Sequence, residues 1–153
     1  MVRRAQILGL YVLSVVLVAT AGPAGASEQP AGDPACAGAK ATVVDAYVDG
    51  LWRQNDADAV RRGFHPGFVL QVLADGELLS VGLEDWLARL ELDGEPNPEP
   101  VEAEVELLDC AATAAVVKVE LYEGGEHLYT DHLSLYRLDD GWRIVAKTFH
   151  SHG

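Results

Sequence analysis

The residues of this chain that could perform chemistry are concentrated near its C-terminal end. Imidazole and carboxylate side chains are interleaved there with apolar residues along two runs, 126–138 and 142–150, which a short turn separates. A histidine can act as a general acid or base because its pKa lies close to neutral pH. An aspartate becomes a useful base where burial raises its proton affinity. The candidate catalytic residues are Asp131, His132, His65 and His150.

A second group of residues is suited to lining a ligand pocket. A pocket that is mostly aromatic and carries few polar groups fits a flat, apolar or aromatic small molecule. The candidate lining residues are Tyr47, Trp52, His65, Trp86, His132, Tyr136 and His150. Trp52 and Trp86 also fall on apolar helical stripes, so packing in the core is the competing interpretation for both.

Several kinds of chemistry lack support in the sequence. It has no Gly-x-Ser-x-Gly elbow, no HExxH motif and no phosphate-binding loop. Two cysteines are too few for a zinc site of the usual cysteine-rich kind. We therefore predict no cofactor and no metal site.

The turn at Asp139-Asp140-Gly141 decides which C-terminal side chains are neighbours. A three-residue loop, which favours glycine at its last position, would place His132 opposite Thr148, whereas a two-residue loop shifts every pair by one. We prefer the three-residue loop. One face would then carry Tyr136, His132, Thr148 and His150 above Trp142 and Ile144, and the other Asp131, Leu133, Leu135, Val145, Lys147 and Phe149. Asp131 and Lys147 would pair diagonally, an arrangement that is more often structural than catalytic.

The elements that must position these groups follow from the spacing of apolar residues. A period of about 3.6 residues predicts helices, and alternation predicts strands. Asn55 and Asp56 are placed to end the first helix and to cap the second. The predicted helices are 37–54, 57–63 and 83–90, and the predicted strands are 68–73, 77–81, 101–110, 114–122, 126–138 and 142–150. Short turns between the last four strands predict sequential antiparallel pairing, and the helices must cover one face of a curved antiparallel sheet. The fold class is α+β.

Several motifs spread over most of the chain resemble those of a known superfamily. They are AYVDGL at 46–51, FHP at 64–66, EDWL at 84–87, TDHLSL at 130–135 and DGWRIV at 140–145, followed by KTFH at 147–150. Together with the order of elements, they resemble the NTF2-like superfamily, and within it the putative lumazine-binding or SnoaL-like group. The resemblance implies a cone in which three helices pack on a strongly curved sheet, with a cavity at the wide end.

Three functions follow from that resemblance, because the superfamily contains enzymes as well as binding proteins. The preferred one is a module that binds a small molecule. The first alternative is an acid–base isomerase or cyclase of the SnoaL or ketosteroid-isomerase type, with Asp131 or a histidine as the base opposite Tyr47 or Tyr136. The second alternative is a non-catalytic interaction module that forms a homodimer. Its candidate surface is the uncharged set Leu133, Leu135, Val145 and Phe149.

The N-terminal residues have the layout of a secretory signal peptide. Arg3 and Arg4 precede an uncharged run at 7–19, which is shorter than the roughly 20 residues of a membrane-spanning helix. A small-x-small pattern ends at Ala26, where we predict cleavage. The predicted organisation is a signal peptide at 1–26, a flexible leader at 27–36 and the domain at 37–153, and the predicted location is the periplasm or the exterior.

Export and charge limit the partners of the mature protein. An oxidising compartment permits a disulfide between the two cysteines, Cys36 and Cys110, although two separate thiols are the alternative. The formal net charge of −13 opposes binding to nucleic acid and to anionic membranes, because both are polyanions. We therefore expect a small-molecule partner, no nucleic acid, and no membrane association after cleavage.

Overall fold

The computed structural model describes residues 34–153. The predicted signal peptide and most of the predicted leader lie outside these residues. Helix α1 spans Pro34–Thr42 and continues without a break as a π-helical segment, Val43–Arg53. Helix α2 spans Ala57–Gly63 and helix α3 spans Leu83–Leu90. All three predicted helices are present, and the first begins at Pro34 rather than at residue 37.

Six strands form one sheet in the order β2-β1-β6-β5-β4-β3. Their bounds are Phe64–Ala74 for β1, Glu77–Gly82 for β2, Val101–Ala111 for β3, Ala114–Glu123 for β4, Glu126–Leu138 for β5 and Gly141–Ser151 for β6. The last four strands pair in sequence and antiparallel, as predicted. The prediction of an antiparallel sheet is wrong for one pair, since β1 runs parallel to β6. No short turn joins β1 to β6, so nothing in the local sequence sets their relative direction.

Local sequence explains where the elements near α2 begin. The Asp56 side chain accepts hydrogen bonds from the backbone N–H groups of Asp58 (2.9 Å) and Ala59 (3.0 Å), which confirms it as the cap of α2. Strand β1 begins at Phe64, four residues before the predicted start. The register of β1 against β6 shifts between Phe64 and Val69, and this irregularity accommodates the proline within the strand.

The last hairpin closes on a two-residue turn. Leu138 pairs with Gly141, which leaves only Asp139-Asp140 between the strands. The preferred three-residue loop is therefore wrong, because the glycine joins the ladder instead of closing the loop. As a consequence, Trp142 and Ile144 are buried in the core and do not form the floor of an outer polar face.

A β-bulge then changes the register part of the way along the same hairpin. The pairing shifts by one residue between Ser134 and Leu135, which inserts the extra residue Val145 into β6. Beyond the bulge, His132 lies opposite Thr148, as predicted. The shorter turn and the bulge cancel, so the end of the hairpin that carries the chemical groups has the predicted pairing.

The hydrophobic core lies between the helices and the concave face of the sheet. Its largest fully buried side chains include Tyr47, Phe64 and Phe68. Leu133 and Leu135 are also buried in this core, because the inner face of β5 carries them. The apolar set considered as a dimer surface is therefore not an outer face, and a homodimer stays a prediction without an assigned surface.

A disulfide between Cys36 and Cys110 ties α1 to strand β3. Such a bond indicates a compartment other than the reducing cytoplasm. Within residues 34–153, none of the helices has both the length and the apolar character needed to cross a membrane.

The close approach of α2 to the π-helical segment requires a glycine at position 63. A Cβ atom added to Gly63 would lie 2.1 Å from the Cβ of Ala46, far inside van der Waals contact. We expect Gly63→Ala to lower the free energy of unfolding by about 3 kcal/mol, at the upper end of the range for overpacking. Urea denaturation measures this effect. Gly82→Ala is the control, since nothing lies within 4 Å of the added atom there. Equal stability of the two variants would contradict the prediction.

Candidate functional site

A cavity of about 220 Å³ opens between the π-helical segment, α3 and the concave face of the sheet. Most of its wall is aromatic or aliphatic. Six of its eleven residues also carry a side-chain nitrogen or oxygen: Tyr47, Trp52, Asn55, Trp86, Tyr129 and Lys147. The full lining consists of Tyr47, Leu51, Trp52, Asn55, Leu70, Trp86, Leu90, Leu92, Tyr129, Lys147 and Phe149. This combination of an apolar wall and a few polar groups is typical of small-molecule sites.

Tyr47, Lys147 and Asp131 form a hydrogen-bonded triad beside this cavity. The Tyr47 hydroxyl donates to Asp131 Oδ2 at 2.6 Å, and Lys147 Nζ donates to the Tyr47 hydroxyl oxygen at 2.8 Å. Lys147 Nζ also forms a direct ion pair with Asp131 Oδ1. Relative exposure is 0% for Tyr47 and Asp131 and 5% for Lys147. Tyr47 and Lys147 line the cavity, while Asp131 lies behind them and outside the lining.

Neighbouring strands bring the charged pair together. Asp131 on β5 lies opposite Phe149 on β6, and Lys147 on β6 lies opposite Leu133 on β5. The two residues are therefore diagonal neighbours on the inner face, the arrangement expected from the sequence. Tyr47 reaches the same point from the π-helical segment on the other side of the core, so the triad joins both layers of the fold.

Burial changes the proton affinities of the two groups that line the cavity. Desolvation lowers the pKa of Lys147 below its usual 10.5, and the neighbouring Asp131 carboxylate opposes this change. Desolvation together with the Asp131 charge holds the pKa of Tyr47 well above its usual 10.0. Tyr47 therefore stays a hydrogen-bond donor at neutral pH, while Lys147 is easier to deprotonate than a lysine in water.

Four aromatic rings surround the Lys147 ammonium. Nζ lies 4.8 Å from the ring centroid of Phe149 and 5.0 Å from that of Tyr47. The rings of Tyr129 and Trp86 lie at 5.7 Å and 6.0 Å. Cation–π attraction favours the charged form at these distances. The same rings exclude water, which fixes the amine in an apolar part of the cavity.

Trp52 lines the same wall with its indole ring. The indole Nε1 is buried and has no hydrogen-bond partner of good geometry among residues 34–153. It lies close enough to the Tyr47 hydroxyl to oppose the rise in the pKa of Tyr47. Trp142 differs in this respect, because its indole nitrogen donates to the Ala35 carbonyl oxygen (2.9 Å) away from the cavity.

Three of the seven candidate pocket residues line the cavity, and four do not. Tyr47, Trp52 and Trp86 lie in its wall. The other four, His65, His132, Tyr136 and His150, lie outside it. The prediction that these four residues line this cavity is therefore wrong. The three histidines among them are also not placed to act as bases on a ligand bound in it.

The physical reason is the alternation of strand side chains. On β5, Asp131 points inward, so His132 and Tyr136 point outward and are exposed. On β6, His150 is likewise on the exposed outer side. His65 is occupied locally, since its Nδ1 accepts the Gly67 backbone N–H at 2.9 Å.

Eight lining residues are not among those expected from the sequence, and Lys147 is the most important of them. The others are Leu51, Asn55, Leu70, Leu90, Leu92, Tyr129 and Phe149. The sequence did contain one signal for Lys147. Lys147 and Phe149 are two residues apart in β6, so their side chains point to the same, inner face of the sheet. A lysine on an otherwise apolar strand face indicates a group held in the core.

A separate cluster lies outside the cavity lining. Glu120, His127 and His152 each place a ligand atom within 4.8 Å of the others. The Nε2 of His127 lies 3.0 Å from Glu120 Oε2, and the Nε2 of His152 lies 2.9 Å from Thr130 Oγ1. The two imidazole rings stack with their centroids 3.7 Å apart. These contacts account for the cluster as a hydrogen-bonded stack, and we assign it no ion.

Comparison with known sequences gives two matches. The profile of a family described as putative lumazine-binding matches residues 37–150. A curated relative from Cladobotryum sp. is 29% identical over 107 residues, which cover 69% of this chain and 83% of the relative. That relative is named Aldolase FrzH.

Comparison with solved structures confirms the predicted NTF2-like fold. An NTF2-like protein of unknown function from Methylobacillus flagellatus matches with a TM-score of 0.64 at 20% identity, over 82% of this chain and 98% of that one. Another, from Silicibacter pomeroyi, has a TM-score of 0.61 at 24% identity, over 74% and 93%. A structure described as a putative ketosteroid isomerase, from Parabacteroides distasonis, has a TM-score of 0.52 at 14% identity, over 71% and 84%. At these identities the likeness concerns the fold alone.

Proposed function

Since the chain belongs to the putative lumazine-binding family, we propose that it binds a small, flat carbonyl compound and catalyses proton transfer on it. Tyr47 and Lys147 face the ligand in this proposal, and Asp131 holds both groups from behind. The observation that carries the proposal is a buried amine and a buried phenol, bonded to one carboxylate, in the wall of an aromatic cavity.

The arrangement of donors suits a carbonyl oxygen. A proton on carbon next to a carbonyl becomes acidic when the negative charge that develops on oxygen is stabilised by fixed donors. Lys147 is such a donor, because Asp131 and Tyr47 use two of its three ammonium protons, and the low-polarity wall strengthens its effect because water is excluded. The single Tyr47 proton is donated to Asp131, so Tyr47 positions the ammonium by accepting from it. Once Lys147 has passed a proton to Asp131, its neutral amine can act as the base.

The name of the curated relative agrees with this class of reaction. That relative is named an aldolase, and aldol chemistry starts from a carbon next to a carbonyl group. The sequence predicted Asp131 as the base that acts on the ligand. In this proposal it acts only through Lys147 and Tyr47, because it does not line the cavity.

A binding module without catalysis is the second candidate function. The position of Asp131 favours it, since a carboxylate behind the wall cannot take a proton from a ligand directly. In that case the triad would serve to fix a hydrogen-bonding site for the ligand's oxygen.

We also propose that the protein is exported. The disulfide and the pattern of residues 1–26 support this proposal.

Ligand binding can be tested with acetophenone, a flat aromatic ketone. Trp52 and Trp86 line the cavity, so binding should quench tryptophan fluorescence. Leu90 lines the cavity and is 40% exposed, so Leu90→Arg should obstruct the site without unfolding the protein. We expect it to weaken binding at least about tenfold, or ~1.4 kcal/mol. Leu79→Arg is the matched control, at a position that is 50% exposed and outside the lining.

The same samples in D₂O separate the two candidate functions. Catalysed exchange of the methyl protons of acetophenone for deuterium, followed by NMR, would support proton-transfer chemistry. Binding without exchange would support the binding module. Equal affinity of Leu90→Arg and Leu79→Arg would show that the cavity is not the binding site.

A further inference from the structure

Lys147 has a combination of features that an ordinary ion pair does not need. It lies almost wholly buried inside the cone, yet it forms part of the cavity wall. Its hydrogen-bond partners within residues 34–153 are Asp131 and the Tyr47 hydroxyl oxygen. A ligand in the cavity would therefore meet the amine together with a phenol and a carboxylate that can exchange protons with it.

Stability alone does not explain such a lysine. Burying two charges costs more desolvation energy than apolar residues of similar volume would, so a buried ion pair is weak evidence for a structural role. A lysine that is desolvated in an apolar pocket is instead a means of activating an amine as a nucleophile. The aromatic rings at 4.8 to 6.0 Å exclude water and so provide that apolar setting, while their cation–π attraction acts in the opposite direction.

We propose that Lys147 is a nucleophile that forms a Schiff base with the carbonyl carbon of an aromatic or similarly flat aldehyde or ketone bound in the cavity. This inference rests on the proposed function, which it deepens by adding a covalent intermediate. The ligand class follows from the wall, which offers aromatic contacts and no cation other than Lys147 among the described lining residues. The volume of about 220 Å³ restricts it to a small molecule.

The covalent step balances within the triad. The Lys147 ammonium first gives a proton to Asp131, and the amine lone pair then attacks the carbonyl carbon. A carbon–nitrogen bond forms while the carbonyl π pair moves to oxygen, which takes a proton from the attacking nitrogen. The proton stored on Asp131 then reaches the same oxygen, which leaves as water while the nitrogen lone pair forms the protonated imine. The sum is one ammonium and one carbonyl compound giving one iminium and one water, with no oxidant or reductant consumed.

Each neighbour has a defined part in this sequence. Asp131 receives the proton from the ammonium and returns it to the departing oxygen through Tyr47, whose hydroxyl is bonded to both groups. The resulting iminium attracts electrons from the adjacent carbon–carbon or carbon–hydrogen bond. This is the property that aldol cleavage, aldol addition and proton exchange have in common.

Reductive trapping tests the inference directly. The purified protein is incubated with benzaldehyde and sodium cyanoborohydride near neutral pH, and the modified amines are located by peptide mass mapping. The chain has three lysines, so Lys40 and Lys118 serve as internal controls for Lys147. We expect Lys147 to be benzylated at least about tenfold faster than Lys40, because an aldehyde bound in the cavity is held beside the Lys147 amine. Acetophenone present in excess should slow the reaction at Lys147 and leave Lys40 unchanged.

The outcomes separate the covalent step from the proposed function. Benzylation confined to Lys40, Lys118 and the N-terminal amine, with acetophenone still quenching cavity fluorescence, would overturn the Schiff base and leave the proposed function standing. Absence of both cavity binding and Lys147 benzylation would overturn both. Lys147→Arg keeps a cation beside Asp131 but has no amine nucleophile. Full proton exchange by that variant would also overturn the inference, whereas Lys118→Arg should behave like the unaltered protein.

Discussion

Asp131→Asn is expected to lower the free energy of unfolding by about 3 to 5 kcal/mol at neutral pH. The substitution keeps the size of the side chain but removes the charge that compensates the Lys147 ammonium. Asp131 is completely buried and Lys147 nearly so, and the Tyr47 hydroxyl would lose its charged acceptor. An uncompensated buried cation must then be dehydrated without a counter-charge, or lose its proton. Urea denaturation at pH 7 measures the change.

Asp140→Asn is the matched control, because it makes the same chemical change in an exposed pair. Asp140 Oδ2 lies 2.6 Å from Arg143 Nη2, and its side chain is 68% exposed. We expect a loss below about 1 kcal/mol there. A double variant, Asp131→Asn with Lys147→Met, should recover part of the stability lost in Asp131→Asn because no unpaired cation remains. A cost for Asp131→Asn as small as that of Asp140→Asn would contradict the buried ion pair.

The deficit of Asp131→Asn should also depend on pH. Desolvation lowers the pKa of Lys147 in the folded protein, so the unfolded chain binds more protons between that value and 10.5. Stability therefore rises with pH in this window. Without the opposing attraction of Asp131 the folded pKa falls further, and the window begins at a lower pH. The difference in unfolding free energy between the unaltered protein and Asp131→Asn should consequently shrink as the pH rises from 7 towards 10.

Removal of the disulfide is expected to cost about 4 kcal/mol of unfolding free energy. The bond between Cys36 and Cys110 spans 74 residues of sequence, and a cross-link over so long a loop strongly restricts the unfolded chain. A domain of this kind has a total stability of roughly 5 to 15 kcal/mol, so the loss is a large part of it. The Cys36→Ala/Cys110→Ala variant should therefore unfold at a much lower urea concentration than the oxidised protein.

Reduced protein separates the cross-link from the packing of the sulfur atoms. In dithiothreitol, the unaltered protein should lose nearly as much stability as the double alanine variant, because both lack the bond. A double variant as stable as the oxidised protein would contradict the prediction.

The intact mass of the exported protein tests both cleavage and the disulfide. We expect a mass that lacks residues 1–26 and is lower by two hydrogens than that of the reduced chain.

The sequence by itself determined the elements and their general arrangement. Helix α2 has the predicted bounds, and the four C-terminal strands pair in sequence because their turns are short. Such features depend on residues close together in the chain, where periodicity and turn chemistry act directly. The same local information identified Asp131 and Lys147 as diagonal neighbours, since two adjacent strands suffice to relate them.

Tertiary structure alone decided which groups face a ligand. Contacts between residues far apart in sequence set three features of the sheet. These are the direction of β1 against β6, the bulge at Val145 and the choice of which face of β5 points into the core. His132 has its predicted partner Thr148, but only the packing of the helices decides that the face with Asp131 and Lys147 is the inner one. For this reason Lys147 lines the cavity and His132 does not. The cavity, the desolvation of Lys147 and its contact with Tyr47 100 residues away arise only when the helices close over the sheet.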